Sequence, residues 1–168
     1  MSKVSSFITI LRMFYYIVLI AAFVAPVWSN SAGAPAKVCT NGLVPEHGVG
    51  SQSGSAPYSL SGGSSVKAGD QIELTLSGDE FLGWAIQAHS ADNKPIGAFK
   101  PDSNSQTISC SGPDNTLTHK KLKAPIKSLK IHWQAPEGHK GPVTFQATVV
   151  KNGGTFWVGK VKKDVAVA

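Results

Sequence analysis

The sequence predicts an all-β protein, an immunoglobulin-like antiparallel β-sandwich that follows a cleaved signal peptide. Apolar and polar residues alternate with a period of two in several segments, as expected for strands with one face on a core. Turn residues separate these segments at roughly ten-residue intervals, which is typical of a sandwich of seven to nine strands. No stretch beyond residue 29 repeats its apolar residues with the helical period of about 3.6. A closed barrel is the alternative architecture.

The first 29 residues have the pattern of a secretory signal. A weakly basic start leads into an apolar run of about 14 residues, at 14–27. A helix that spans a membrane needs about 20 such residues, so this run is short for a transmembrane segment. Val27 and Ser29 suit the minus-three and minus-one positions of a cleavage site, and we expect cleavage after Ser29, with Ala32 or Gly33 as nearby alternatives. An uncleaved signal anchor is the competing interpretation.

Strands are expected along most of the remaining chain, after a loop at 41–57 that is rich in Gly, Ser and Pro. The predicted strands, in order, are 72–76, 82–88, 96–99, 106–110, 129–133, 143–149 and 155–158. The predicted turns are 77–80, 92–93, 135–142 and the Asn152-Gly153 pair, a strong hairpin signal.

The tryptophans of the exported chain differ in their expected environments. Trp84 and Trp133 fall on apolar strand faces, so we expect both in the core. Trp157 follows Phe156 within one short strand, and because neighbouring side chains point to opposite faces, one of the two should point away from the core. We expect the outward ring to pack against the C-terminal tail, with contact to a glycan or lipid as the alternative.

Composition limits the classes of partner. Removing residues 1–29 takes away Lys3 and Arg12, so 14 lysines and no arginine remain against 10 acidic residues. Without arginine the bidentate recognition of phosphates and bases is lost, and we expect no nucleic-acid partner. The charge is also polarised, because residues 30–116 carry a net charge of −4 and residues 117–168 a net charge of +8.

The lysines of the positive half are the candidate binding residues for an anionic ligand. They are Lys120, Lys121, Lys123, Lys127, Lys130, Lys160, Lys162 and Lys163. If the fold brings them together, they form one basic surface whose field attracts anionic polymers or membranes. The alternative is a solvated face that only keeps the protein soluble.

No catalytic, metal or cofactor site is expected. The five histidines are scattered without the spacing of metal ligands, and the glycines do not lead from a strand into a helix as a phosphate-binding loop would. The two cysteines, Cys39 and Cys110, favour one bridge in an exported chain, which would stabilise the fold by roughly 4 kcal/mol. Two free thiols or an intermolecular pair are the alternatives.

The exported chain resembles a reeler domain, the domain type found at the N-terminus of reelin, and in particular the single-domain reeler proteins that insects secrete for defence. The matching pieces are 33–39, 45–48, 56–60, 81–88, 96–99, 110–112, 118–119, 133–136, 143–149 and 155–158, in that order. The resemblance implies an immunoglobulin-like sandwich and a bridge between Cys39 and Cys110. We therefore expect a signal peptide at 1–29, a reeler domain at 30–160 and a basic C-terminal tail at 161–168.

The resemblance and the charge pattern together predict a non-enzymatic, secreted factor of innate immunity. Its expected partners are anionic polymers of microbial surfaces, of the lipopolysaccharide or teichoic acid type, or other anionic glycans, bound by the lysine-rich face. We expect a monomer without stable membrane insertion, since no basic amphipathic helix is present. The alternative function is an extracellular adhesion module that binds sulfated glycosaminoglycan or a protein receptor.

Overall fold

The computed structural model describes residues 32–168, so the predicted signal peptide, with its cleavage after Ser29, lies outside the described residues. The described part folds into ten strands and one short 3-10 helix, η1, at Ala36–Cys39. The strands are β1 Tyr58–Gly62, β2 Ser65–Val66, β3 Gln71–Phe81, β4 Gly83–His89, β5 Ala98–Lys100, β6 Ser105–Ile108, β7 Thr116–His119, β8 Ile126–Gln134, β9 Gly141–Asn152 and β10 Thr155–Val167. Across these residues, none of the helical structure is long and apolar enough to cross a membrane.

The strands form two sheets that pack face to face, which confirms the predicted sandwich. A four-stranded sheet has the order β1-β3-β8-β5, and a six-stranded sheet has the order β2-β10-β9-β4-β7-β6. Neighbouring strands run antiparallel, except that β2 runs parallel to the end of β10. Neither sheet closes on itself in the described part of the chain, so the alternative of a closed barrel is wrong.

The core between the sheets is built by the alternation that the sequence shows. On β3, Leu74 and Leu76 are fully buried while the residues between and beside them are more exposed. Trp133 of β8 contacts Phe145 of β9 edge to face, with ring centroids 5.1 Å apart, and its Nε1–H donates a hydrogen bond to the backbone oxygen of Ile96 at 3.1 Å. The predicted burial of Trp84 and Trp133 is therefore confirmed.

The predicted turn at 77–80 is wrong, because these residues continue β3. The pairing of β3 with β8 shifts register between Ser77 and Phe81, so the extra residues form a bulge in the strand. Gly78 has a φ of 150°, and a Cβ there would lie 2.1 Å from the backbone oxygen of Pro57. The glycine therefore permits a close approach of β1 and does not reverse the chain, which happens only at Leu82.

The predicted C-terminal tail at 161–168 is also wrong, because β10 runs through to Val167. Val161, Val165 and Val167 are buried on the core side of the strand, and the exposed residues between them include lysines. Ala166 pairs with Ser65 of β2, which fixes the end of the chain at the edge of the six-stranded sheet. The lysines made the segment look like a charged tail, whereas the valines carry the strand periodicity.

Phe156 and Trp157 point to opposite faces of the sheet, as expected, and both are buried. The expected packing of the outward ring against the C-terminal tail is wrong. Trp157 faces the core and contacts Tyr58, with ring centroids 5.5 Å apart. Phe156 is on the opposite face, where it meets the ring of His47 at 5.4 Å and its backbone oxygen accepts a hydrogen bond from the N–H of Gln52. The outward ring is therefore covered by the N-terminal part of the chain and not by a C-terminal tail.

Residues 33–52, which we name the N-terminal cover, lie over the outer face of the six-stranded sheet. Val38 and Leu43 are buried there against Ala85 of β4. The predicted bridge between Cys39 and Cys110 is present, and it joins η1 to the segment that follows β6. The bridge links positions 71 residues apart in the chain. It therefore holds the cover against a sheet that would otherwise expose apolar surface on its outer side.

Buried polar groups lie on the same outer face. The Nε2 of Gln87 donates a hydrogen bond to Thr116 Oγ1, and its Oε1 accepts one from His89 Nε2, each at 2.8 Å. Burial first, and the positive charge of Lys162 second, hold the pKa of His89 below its ordinary value. The folded protein therefore favours the neutral form of His89.

We expect the replacement of both cysteines by serine to lower the free energy of unfolding by about 4 kcal/mol, since the bridge restricts a long loop in the unfolded chain. Urea unfolding of the oxidised protein and of the double variant C39S/C110S measures the difference. Wild-type protein reduced with dithiothreitol is the matched control and should unfold at the same urea concentration as the double variant. Equal midpoints for oxidised and reduced wild type would contradict a stabilising role.

We expect His89 to make the protein less stable as the pH falls from 7 to 5. In the unfolded chain, His89 takes up a proton near the ordinary histidine pKa of about 6.5. In the folded protein its pKa is lower, so it stays neutral to a lower pH. Protonation therefore favours the unfolded chain once the pH falls below about 6.5. The variant H89Q should reduce this dependence, measured as the unfolding free energy at several pH values. K162Q should retain most of it, because burial is the larger cause. An identical pH slope for wild type and H89Q would exclude this role for His89.

Candidate functional site

Two of the candidate lysines lie on β8 and face carboxylates of the neighbouring strand β3. The Nζ of Lys130 is 3.0 Å from Glu73 Oε1, and the Nζ of Lys127 is 3.7 Å from Glu80 Oε1. All four side chains are exposed, so each pair contributes about 1 kcal/mol of stability or less. The acids nevertheless offset much of the positive charge on this face of the four-stranded sheet.

Three further candidates, Lys120, Lys121 and Lys123, lie in the connection between β7 and β8 and are exposed. Within residues 32–168, no carboxylate comes within 4.0 Å of any of these three ammonium groups. The connection is tied down at its start, where the N–H of Lys120 donates to the backbone oxygen of Asn104 at 2.7 Å. We name these three residues the loop lysines. None of the three is therefore in an ion pair among the described residues, and the Nζ of Lys120 donates a hydrogen bond to the backbone oxygen of Asp102 at 3.5 Å.

The last three candidates lie on β10, in the other sheet. Lys160 and Lys162 are exposed and Lys163 is half-buried. None of the three is in an ion pair among the described residues. Because β8 and β10 belong to different sheets, the eight lysines fall into three separate groups: on β8, in the loop, and on β10.

A pocket of ≈ 230 Å³ lies beside the loop lysines, between the N-terminal cover and one end of the six-stranded sheet. The cover contributes Ala34, Pro35, Val38, Leu43, Pro45 and His47 to its lining. The opposite wall comes from Leu82 at the β3–β4 reversal, from β4, β7 and β9, and from the β9–β10 turn. It includes Trp84, His119, Thr148 and Val150. Lys121 and Leu122 of the β7–β8 connection complete it. Sequence patterns gave no sign of this pocket.

A contact between His119 and β4 shapes the wall of the pocket. The Nδ1 of His119 accepts a hydrogen bond from the backbone N–H of Trp84 at 3.3 Å, and the two rings lie with centroids 5.7 Å apart. A Cβ at Gly83 would come within 3.0 Å of the imidazole, so glycine leaves the space that the ring occupies. His119 therefore has a structural role in this wall.

The histidines do not assemble into a metal centre in the described part of the chain. No group of three His, Cys, Asp or Glu residues that could hold a metal ion is found across residues 32–168. His47 packs against Phe156, His89 binds Gln87, and His132 lies 3.7 Å from Glu73 on the outer face of β8. These histidines thus contact different elements of the sandwich.

Comparison with known proteins gives consistent matches. The family model described as "Reeler domain" matches residues 37–168. The chain is 44% identical over 159 residues to "Defense protein l(2)34Fc" of Drosophila melanogaster, covering 92% of this chain and 99% of that protein. It is 35% identical over 165 residues to "Putative defense protein Hdd11-like" of Samia ricini, covering 92% and 98% of the two chains.

A solved structure shares the fold. "The crystal structure of Reelin-N domain of F-spondin" superposes with a TM-score of 0.59 and covers 79% of this chain and 97% of that one. The two sequences are 18% identical, so the likeness concerns the architecture of the sandwich only.

Proposed function

This chain belongs to the reeler domain family, and from that membership we propose that it is a secreted, non-enzymatic defence protein that binds anionic polymers of microbial surfaces. The names of the two insect relatives support a role in defence, because the similarity extends over nearly their whole length. The bridge between Cys39 and Cys110 supports export, since such bonds form and persist in oxidising compartments. The proposed ligands are the phosphate-bearing polymers of the lipopolysaccharide and teichoic acid type.

The loop lysines are the group best suited to such a ligand. Their charges are free of neighbouring carboxylates, whereas Lys127 and Lys130 already face Glu80 and Glu73. Each lysine near an anionic surface contributes about 1 kcal/mol at most, and the attraction extends only about 8 Å at physiological ionic strength. Three adjacent, exposed lysines can therefore act on one stretch of a polymer, whereas Lys163 of the β10 group is half-buried.

The charge in the loop, and not the net charge of the protein, is the observation that carries this proposal. A polymer with closely spaced phosphates meets the three ammonium groups without displacing an internal ion pair. The same exposed ammonium groups also suit sulfated glycosaminoglycans, so the identity of the polymer is decided by comparing the two classes of ligand directly.

We expect the triple variant K120Q/K121Q/K123Q to bind lipopolysaccharide and lipoteichoic acid about tenfold more weakly than the wild type. The matched control is K160Q/K162Q/K163Q, which removes the same charge from β10 and should change binding by less than about twofold. Surface plasmon resonance at low and physiological salt measures both the affinity and its salt dependence.

Three results would contradict the proposal. Equal losses in the two triple variants would mean that only net charge matters. Unchanged binding in the loop variant would remove the loop lysines from the interaction. Retention on heparin without affinity for either bacterial polymer would favour the adhesion function over defence.

A further inference from the structure

We propose that the pocket under the N-terminal cover binds a single acyl chain of about eight to ten carbons whose anionic end lies at Lys121. The ligand is either a free fatty acid or one chain of an acylated bacterial lipid. If the ligand is a free fatty acid, its binding is an activity separate from the proposed function. If the ligand is a chain of a bacterial lipid, the inference rests on the proposed function, and the pocket recognises the lipid part of the same microbial surface.

The walls of the pocket are mainly aliphatic. The cover supplies Val38 and Leu43, and the sheet supplies Leu82 and Val150. Leu82 is 37% exposed, so apolar surface of the pocket reaches solvent. An apolar ligand that covered this surface would remove it from water, which is the main source of affinity in pockets of this kind.

The polar side chains in the lining are largely engaged with the protein itself. Thr148 Oγ1 accepts a hydrogen bond from the N–H of Gly159, and Asn152 Oδ1 accepts one from the N–H of Gly154. His119 Nδ1 accepts from the backbone of Trp84. The interior of the pocket therefore offers few hydrogen bonds to a polar ligand such as a sugar.

Two further nitrogen atoms of the lining residues are closed off from the pocket. Trp84 Nε1 and His47 Nδ1 are both buried, and neither has a hydrogen-bond partner in the described part of the chain. Because the two atoms are inaccessible, neither offers a hydrogen bond to a ligand in the pocket.

The volume limits the ligand to one short chain. An apolar cavity of about 150 Å³ holds the six carbons of benzene, so a pocket of ≈ 230 Å³ corresponds in proportion to about nine carbons. A longer chain would have to extend over Leu82 toward solvent.

Charge sets the direction of the ligand. Lys121 is the lining residue with a full positive charge, and its exposure places the ammonium group at the solvent side. The lining contains no Asp or Glu. A carboxylate or phosphate at the end of the chain can therefore lie beside Lys121 while the methylene groups occupy the apolar interior.

The test uses decanoate and 1-decanol as probes, with binding followed by calorimetry and by intrinsic tryptophan fluorescence. The wild type is expected to bind decanoate saturably. K121Q should weaken decanoate about fivefold and leave decanol within about twofold, because only decanoate carries the charge. K140Q is the matched control, since Lys140 is an exposed lysine that belongs neither to the lining nor to the loop lysines, and it should change neither probe.

Filling the pocket gives a second, independent variant. A34L adds bulk to the lining from the cover and should weaken both probes about tenfold. A36L makes the same change at an exposed position of η1 outside the lining and should bind as the wild type does. Absence of saturable decanoate binding by the wild type, or equal binding by A34L and A36L, would overturn the proposal.

Intact and chemically deacylated lipopolysaccharide distinguish the two sources of the chain. If A34L weakens only the intact form, the pocket takes a chain of the bacterial lipid; if it weakens decanoate and neither polymer, the ligand is a free fatty acid. The proposed function is tested separately, because deacylated lipopolysaccharide should still depend on the loop lysines even if the pocket binds no acyl chain.

Discussion

The six-stranded sheet buries both of its faces at β4, and the rest of the structure depends on how its outer face is covered there. In β4 every residue from Gly83 to Ala88 is buried, whereas a strand at the surface of a sandwich would expose every second one. The N-terminal cover solves this by placing Val38 and Leu43 on Ala85, where each buried side chain stabilises the fold by about 1.5–3 kcal/mol. The disulfide bond holds this irregular segment, which has little regular hydrogen bonding of its own, in one position. The pocket lies between this segment and the end of the sheet, because the segment crosses that end without filling the space beneath it.

The sequence predicts the architecture well where burial alternates and poorly where it does not. Leu74 and Leu76 of β3 mark a strand clearly, because one of its faces meets water. The same reasoning predicted a turn where Gly78 forms a bulge, because a glycine beside acidic residues occurs both in turns and in bulges. It also placed the outward ring of the Phe156–Trp157 pair against the C-terminal tail. The segment that covers Phe156 lies about a hundred residues earlier, and strand periodicity contains no information about such a distant contact.

The candidate site shows the same limit. Counting charges identifies the lysines of the second half, but the pairing of strands decides that Lys130 faces Glu73 of β3 and that Lys162 lies in the opposite sheet. The pocket combines a residue from the cover, such as Leu43, with residues from the β3–β4 reversal and from β9. These pieces are separated by long stretches of chain, and each alone looks like ordinary strand or loop.

The position of the loop lysines follows from the same arrangement. The β7–β8 connection crosses from the six-stranded to the four-stranded sheet at the end of the sandwich where the pocket lies, and Lys121 and Leu122 line that pocket. A regular strand cannot place two neighbouring residues, one charged and one apolar, at the same cavity, because their side chains point to opposite faces. A crossing connection can, because its backbone is free of the two-residue alternation. The end of the sandwich is therefore the place where this fold can combine a charged group with an apolar pocket, which is the combination that an amphipathic ligand requires.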